Sequence, residues 1–151
     1  MSEIRDSDLL LVIHDLARLM RTRADQKART YGMTRAQWMI LFRLQMRPGL
    51  SQNELATLVE VEPITIARVI DRLEARGLVE RRPDPGDRRV RRLHLTEAAH
   101  APLQQLHFYG AEVRESLTAG LPPQDVECLT AGLLKMKENL LAEKREGAKA
   151  S

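Results

Sequence analysis

Two closely spaced helix-start signals most constrain how this chain can fold. Ser51-Gln52-Asn53-Glu54 is a capping box, in which the Ser51 hydroxyl accepts from the Glu54 amide while the Glu54 carboxylate accepts from the Ser51 amide. Pro63 then suits the first turn of a second helix, and Gly77 can end it. The sequence therefore predicts two short helices joined by a tight turn, the second running from residue 63 to about residue 76.

A β-hairpin is predicted directly after these helices. The turn formers Pro-Asp-Pro-Gly-Asp at 83–87 separate two stretches, 78–83 and 88–96, that are typical of strands. Apolar and polar side chains alternate at 92–95 but not at 88–91, so we expect an exposed tip. Two short helices followed by an arginine-rich hairpin form the winged helix-turn-helix plan, in which the second helix enters the DNA major groove.

Longer helices are predicted on both sides of this lobe. Ser7 or Asp8 can cap the first helix, Thr34 the second and Thr96 the fifth, while the sixth follows Pro122 and Pro123. Apolar seams in the first, fifth and sixth helices need partner helices, which predicts a homodimer. The fold class is mainly α with a minor β part. We expect a single domain, 1–151, with a winged helix-turn-helix lobe at 34–96 and helical dimerisation regions at 7–30 and 97–146.

Arginine is concentrated between residues 68 and 92. This stretch holds nine arginines and five acidic residues, so its net charge of +4 exceeds the +3 of the whole chain. A local basic strip on a nearly neutral body is typical of a surface that binds phosphates. Composition leaves one alternative open, a solvated charged face without a ligand.

The predicted fourth helix has two distinct faces. Ile66, Val69, Ile70 and Leu73 form its buried stripe. The other face presents Arg68, which can make a bidentate contact with guanine, and Arg72, which is better placed for phosphate. The first turn, with Pro63, Ile64 and Thr65, would face base edges, where Thr65 could meet a thymine methyl group or a phosphate. The alternative is that Arg68 only pairs with Asp71, three residues on, whereas Arg72 has no acidic neighbour at helical spacing.

Several functional classes find little support. No stretch approaches about 18 continuous apolar residues, and no signal peptide opens the chain, so we expect a cytoplasmic protein without membrane contact. No serine or cysteine stands beside a histidine in a nucleophile motif, so we expect neither an enzyme nor a cofactor. A non-specific architectural DNA-binding protein is a weaker alternative, because the basic strip is local.

A metal-responsive or redox-responsive regulator is a further alternative. His100 and His107 share a predicted helix face but stand seven residues apart, about 10.5 Å at roughly 1.5 Å per residue, which is too far to bind one ion together. Cys128 lies between apolar residues of the sixth helix, where a small buried hydrophobic residue is the usual role. We therefore predict no metal site.

Five short motifs follow one another along nearly the whole chain. They are Thr34-Arg35-Ala36-Gln37-Trp38, Ser51-Gln52-Asn53-Glu54-Leu55-Ala56, Asp71-Arg72-Leu73-Glu74, Arg76-Gly77-Leu78-Val79, and Asp87-Arg88-Arg89 ahead of Leu93-His94-Leu95-Thr96. In this order they resemble the MarR/SlyA family of transcription factors. The resemblance implies an interlocked dimer that presents two winged helix-turn-helix lobes to a pseudo-palindromic double-stranded DNA operator, and a signal that changes the spacing of the lobes.

The family's wing carries an Asp-x-Arg motif, which Asp87 and Arg89 match. An arginine at a hairpin tip can enter the electronegative minor groove, and an acid two residues earlier can hold the hairpin. Phosphate contacts are expected from residues around these elements, including the free amides at the start of the third helix, although a wing tip that only solubilises the hairpin is the alternative. The expected phosphate-binding residues are Arg35, Ser51, Gln52, Arg82 and Arg88.

The resemblance also implies an effector site between the dimer base and the DNA-binding lobe. His14, Arg18 and Arg21 recur on one side of the first helix, and Trp38 opens the second. A guanidinium beside an indole suits a small aromatic or amphipathic anion. The alternatives are that Trp38 belongs to the core and that Arg18 and Arg21 pair with Asp15 and Asp25. We expect a repressor that such an effector releases from DNA.

Overall fold

A computed structural model describes residues 8–149, and the surroundings of the side chains for residues 8–143. The described part is mainly helical with one two-stranded antiparallel sheet, as predicted. The chain divides into two units, Met1–Tyr109 and Gly110–Ser151. The elements are α1 (Leu9–Thr30), α2 (Arg35–Met46), α3 (Gln52–Val59), α4 (Pro63–Ala75), β1 (Val79–Pro83), β2 (Arg91–Leu95), a 3-10 turn (Glu97–Ala99), α5 (His100–Thr118) and α6 (Pro123–Lys149).

Local capping explains where the first four helices begin. Asp8 accepts from the amides of Leu10 and Leu11 and so caps α1, while Ser7 lies outside the described residues. Thr34 forms a capping box with Gln37 at the start of α2. The predicted box of α3 is confirmed, since the Glu54 amide donates to Ser51 Oγ at 3.2 Å and the Ser51 amide donates to Glu54 Oε2 at 2.7 Å. Pro63 is the first residue of α4, also as predicted.

The core of the first unit fixes the orientation of α4. Ile66, Ile70 and Leu73 are buried, whereas Val69, predicted to be buried with them, is half-exposed. Each fully buried leucine or isoleucine contributes roughly 1.5–3 kcal/mol through removal of apolar surface from water. The opposite face of α4 therefore stays directed away from this core. The stripe packs in a core that also includes Trp38, Ile40, Leu41, Leu44, Leu55, Val79 and Leu93.

The hairpin corrects one predicted boundary. β2 begins at Arg91 rather than at residue 88, and its register pairs Val79 with Leu95 and Pro83 with Arg91. Residues 84–90 form the turn because two aspartates hold its amides. Asp84 Oδ1 accepts from Gly86 and Asp87 at 2.7 and 3.0 Å, and Asp87 Oδ1 accepts from Arg89 at 2.9 Å. Amides engaged by side chains cannot extend the strand ladder.

The hairpin is also bonded to the segment that precedes α3. The Gly49 amide donates to the carbonyl of Leu93 at 3.0 Å, and the Leu93 amide donates to the carbonyl of Leu50 at 2.9 Å. An isolated antiparallel bridge joins Ser51 and Arg92. The base of the hairpin is thus part of the helix-turn-helix framework.

The role predicted for Thr96 is wrong. Its hydroxyl makes no capping bond to α5 and instead donates to the carbonyl of Gly77, while its amide donates to the carbonyl of Leu78. The chain passes through the 3-10 turn before α5 starts at His100. Thr96 therefore closes the hairpin onto the end of the α4 segment.

The outer helices expose much apolar surface. In α1 the only buried described residue is Ala28, while Leu9, Leu16 and Met20 are exposed. In α6, Leu133 and Leu140 are 48% and 68% exposed, and the side chains described for this helix include none that is buried. None of the described helices combines the length and apolar character needed to span a bilayer.

Candidate nucleic-acid interface

The outward face of α4 carries the residues predicted to face base edges in the major groove, together with Arg72, which was predicted to contact phosphate. Pro63, Ile64, Thr65, Arg68 and Arg72 are exposed, and Ile64 is 63% exposed despite its apolar side chain. Neither Arg68 nor Arg72 forms a hydrogen bond or an ion pair with any residue that the structure describes. This face thus combines two uncommitted guanidinium groups, a hydroxyl and an apolar surface within the first three turns of one helix.

The ion pair that would have occupied Arg68 does not form. Asp71 Oδ1 instead accepts from Arg81 Nη2 at 2.6 Å. Arg81 also donates to Glu74 and, at 3.0 and 3.3 Å, to Gln52 Oε1. One guanidinium of β1 therefore ties α4 to α3 and leaves Arg68 free. No local sequence pattern predicted this role of Arg81.

More polar groups at the start of α3 already have hydrogen-bond partners than was predicted. The Ser51 amide donates to the Glu54 carboxylate, as the capping box predicted, and is therefore not one of the free amides at this helix start. The side-chain oxygen of Gln52, Oε1, accepts from Arg81. What remains for a phosphate is the hydroxyl proton of Ser51, the side-chain NH₂ group of Gln52, and the backbone amides of Gln52 and Asn53, which have no acceptor among the described residues.

The tip of the hairpin, which we call the wing tip (residues 84–90), presents further cations. Arg88 and Arg89 are exposed and make no side-chain hydrogen bond or ion pair within the described chain. Asp87, which was predicted to hold the hairpin, accepts a hydrogen bond from the Arg89 amide. Arg91, which the sequence analysis did not select, is exposed beside them.

Two predicted phosphate contacts already have acidic partners. Arg35 pairs with Asp25 at 3.1 Å, and Arg82 Nε donates to Glu80 Oε1 at 2.8 Å. Both arginine side chains remain about half exposed, with 43% and 57% of their surface accessible. Exposed pairs of this type contribute roughly 0–1 kcal/mol, so a phosphate could displace the carboxylate.

A second charged cluster lies between the wing tip and α3, and the sequence analysis missed it. Arg92 donates from Nε to Asp84 Oδ2 at 2.6 Å, and from Nη1 to Glu54 Oε2 at 2.7 Å and to the carbonyl of Gly49 at 3.3 Å. These bonds join three segments of the lobe. Only an indirect indication of this cluster was present in the sequence, because Arg92 and Glu54, whose carboxylate closes the capping box, both belong to predicted elements of one lobe.

These bonds favour the ionised forms of the cluster. The hydrogen bond from Arg92 is the largest cause that lowers the pKa of Asp84, followed by the amides of Gly86 and Asp87. The Ser51 amide is the largest cause that lowers the pKa of Glu54. The bond to Asp84 is the main cause that raises the pKa of Arg92.

The four predicted effector residues differ in their surroundings. His14, Arg18 and Arg21 are exposed on α1, and Arg18 pairs with Asp15 at 3.3 Å. Asp25 pairs with Arg35 rather than with Arg21. Trp38 is 2% exposed and lies between Tyr31 and Tyr109, each with its ring centroid 5.7 Å away. No hydrogen bond, ion pair or ring contact joins Trp38 to the three α1 residues in the described structure.

Trp38 carries an unsatisfied donor. Its indole Nε1 is buried and has no hydrogen-bond partner among the described residues. A buried polar group without a partner costs roughly 1–3 kcal/mol. The described residues contain no group of three or more His, Cys, Asp or Glu side chains that could hold a metal ion together.

Comparison with known proteins adds to this geometry. The sequence profile of the MarR family matches residues 33–90, from just before α2 to the end of the wing tip. The structure is similar to that of the transcriptional regulator SlyA, at 26% identity over 89% of this chain and 94% of that one, with a TM-score of 0.78. It is also similar to wild-type MarR in its apo form from E. coli, at 27% identity over 85% and 96% of the two chains, with a TM-score of 0.75.

A DNA-bound structure shares the fold. The S. aureus MepR–DNA complex matches 90% of this chain and 99% of that chain at 23% identity, with a TM-score of 0.77. At this identity the likeness concerns the fold. The segment at residues 33–90 matches the MarR family, and the likeness to the regulators SlyA and MarR extends along most of the chain, so this protein is similar in sequence segment and in fold to MarR-family transcriptional regulators.

Proposed function

We propose that this protein is a sequence-specific DNA-binding transcriptional repressor that recognises an inverted repeat as a homodimer and is released by a small-molecule effector. The observation that carries the proposal is the pair of exposed, unpartnered guanidinium groups of Arg68 and Arg72 on one face of α4. Like charges one helical turn apart repel each other unless an anion lies between them. The DNA bound by MepR, a protein of the same fold, supports this choice of partner.

Each residue has a distinct role in the proposed complex. The first turns of α4 enter the major groove, where Arg68 reads guanine O6 and N7 and the apolar surface of Ile64 suits a thymine methyl group. Thr65 contacts a base edge or a phosphate, and Arg72 contacts phosphate. The wing tip reaches the adjacent minor groove through Arg89, while Arg88 contacts the backbone.

The proposed dimer follows from the exposed apolar faces of α1, α5 and α6. Leu16, Leu117 and Leu133 are each more than a third exposed in the single chain. Monomeric soluble proteins rarely leave contiguous surfaces of this type uncovered. A two-fold dimer would present two α4 helices to half-sites about 34–36 Å apart, one turn of DNA.

The proposed effector is a small aromatic or amphipathic anion that binds near Trp38 and lowers DNA affinity. The unsatisfied indole N–H supports this site, because a carboxylate or phenolate oxygen would satisfy it. Tyr31 and Tyr109 flank the indole and add aromatic surface. Exposed Arg18 and Arg21 supply positive charge on α1.

Selection of bound duplexes from a random DNA pool tests this function. The expected product is an inverted repeat whose half-sites are about 10 base pairs apart, centre to centre. Titration against that repeat and against a scrambled duplex at two salt concentrations measures the specific part of the affinity. Equal affinity for both duplexes would contradict sequence-specific regulation and favour an architectural role. Transcription in vitro from a promoter that contains the repeat then tests repression.

A further inference from the structure

We infer that Arg92 is a positioning residue that fixes the wing tip relative to α3, so that the contacts of Arg89 with DNA depend on it. The inference rests on the proposed function and concerns how the wing is aimed. Arg92 itself contacts no base in this arrangement. It acts through Asp84 and Glu54.

Backbone hydrogen bonds fix the base of the hairpin to the lobe, and two more close the tip on itself, from the Asp84 amide to the Val90 carbonyl and from the Val90 amide to the Asp87 carbonyl, both at 3.0 Å. No backbone bond among the described residues joins residues 84–90 to α3. Hydrogen bonds join Leu93 to Gly49 and Leu50, and the β1–β2 ladder ends at the pair Pro83 and Arg91. Residues 84–90 extend beyond this ladder. A two-stranded hairpin is only marginally stable without further packing, so its tip needs another constraint.

Side chains supply a continuous chain of bonds across this gap. Glu54 Oε2 accepts from the Ser51 amide and from Arg92 Nη1, which anchors the guanidinium at the start of α3. Arg92 Nε donates to Asp84 Oδ2, and Asp84 Oδ1 accepts from the amides of Gly86 and Asp87. The carboxylate of Asp87 in turn accepts from the amide of Arg89. The route from α3 to the Arg89 backbone therefore passes through Arg92.

An arginine is required at this position because the acceptors lie in different directions. The planar guanidinium donates from Nε and Nη1 to two carboxylates and a carbonyl at once, which an ammonium group on a flexible stem cannot reproduce. The side chains of Arg92 and Asp84 are 31% and 17% exposed, so water competes only partly for these bonds. Arg91, its neighbour, is exposed and unpartnered within the described residues and provides a control of equal charge.

A double-mutant cycle on the operator recovered by selection tests the inference. We expect R92Q to weaken binding roughly fivefold or more and to add less than about twofold to the loss caused by R89A, because both remove the same wing contact. R91Q should be additive with R89A, since it removes only a nearby charge. R92K keeps the positive charge but lacks the planar guanidinium with its several donors, so it should not restore the affinity for the operator. Additive losses for R92Q and R89A would overturn the inference.

A measurement without DNA separates this inference from the proposed function. Amide hydrogen exchange in the free protein should become at least about tenfold faster in R92Q at Gly86, Asp87 and Arg89, while Leu93 keeps its protection. D84N should reproduce that pattern, and R91Q should not. Unchanged exchange at the wing tip in R92Q would refute the positioning role whether or not DNA binds. Failure of the selection with intact protein would instead refute the proposed function.

Discussion

Asp71 accepts a 2.6 Å hydrogen bond from Nη2 of Arg81, and this contact determines which arginine of α4 remains available. Asp71 stands three residues after Arg68, at a spacing suited to an ion pair within the helix. Because its carboxylate binds β1 instead, Arg68 keeps all its donors for a ligand. The same bond helps hold α4 against the hairpin.

The first prediction concerns the reading of bases by α4. Arg68→Ala should cost about 1–3 kcal/mol in operator binding and relax the preference at one base position in each half-site. Arg72→Ala should weaken binding to all sequences alike and reduce the slope of log K against log salt by about one. Selection and salt titration with each variant measure both effects. If Arg68→Ala kept the base preferences of the parent, the proposed docking would be wrong.

The second prediction concerns the wing. Arg89→Ala should weaken binding and remove the preference for A·T-rich minor grooves outside the major-groove half-sites, because narrow grooves attract an inserted guanidinium. Arg88→Ala is the control, since it removes the same charge from the same turn but only a phosphate contact. Affinities for operators with A·T-rich or G·C-rich flanks distinguish the two. If the flank preference survived in Arg89→Ala but was lost in Arg88→Ala, Arg88 rather than Arg89 would be the residue that contacts the minor groove.

The third prediction is a dependence of stability on acid pH. The pKa values of Asp84 and Glu54 are lowered from their ordinary 3.8 and 4.5, so the folded state releases these protons more readily than the unfolded chain. Their contribution is therefore complete above the ordinary values and is lost as the pH falls through the lowered ones. Asp84→Asn should be less stable than the parent at neutral pH, and this difference should shrink below about pH 4.

Urea unfolding at a series of pH values measures this difference. Glu115→Gln is the matched control, because Glu115 is exposed on α5 and its side chain makes no bond within the described residues. Its stability relative to the parent should stay nearly constant with pH. A constant difference for Asp84→Asn down to pH 2.5 would contradict the role assigned to the carboxylate.

Local sequence signals predicted the parts of the lobe that local chemistry determines. The capping box of Ser51 and Glu54 joins residues three apart, and Pro63 starts a helix by its own geometry. The exposed face with Arg68 follows from helix periodicity alone. These signals were sufficient for the winged helix-turn-helix plan and for the choice of its α4 residues.

Contacts between distant residues could not be predicted from the same signals. Arg81 meets Gln52 across 29 positions, and Arg92 meets Glu54 across 38. Which of several arginines joins such a cluster depends on strand register, and the start of β2 was predicted three residues too early. Thr96 shows the same limit, because its hydroxyl binds a carbonyl 19 residues away rather than the helix beside it.

The fourth prediction tests the dimer. Leu133→Glu should shift the protein from dimer to monomer, because each of two equivalent leucines contributes roughly 1.5–3 kcal/mol when buried, which together raises Kd by about a hundredfold or more. Asn139→Glu is the control, since it adds the same charge to an exposed polar position of α6. Sedimentation measures the mass, and circular dichroism measures the helix content. A folded Leu133→Glu protein that stays dimeric would contradict this interface.

The fifth prediction concerns the effector. Salicylate-like acids should bind the protein and weaken its affinity for the operator. Trp38→Phe keeps an aromatic ring but removes the unsatisfied N–H, and a hydrogen bond to a charged group is worth about 1.5–3 kcal/mol, so its affinity for the acid should fall roughly 10-fold to 100-fold. Arg18→Ala and Arg21→Ala should also weaken binding of the acid. Arg23→Ala should not, because it removes an exposed charge from a different side of the same helix.

Calorimetry with each variant measures these affinities. Full affinity in Trp38→Phe would remove the indole from the site, and equal losses in all three arginine variants would indicate general charge attraction instead of a defined pocket.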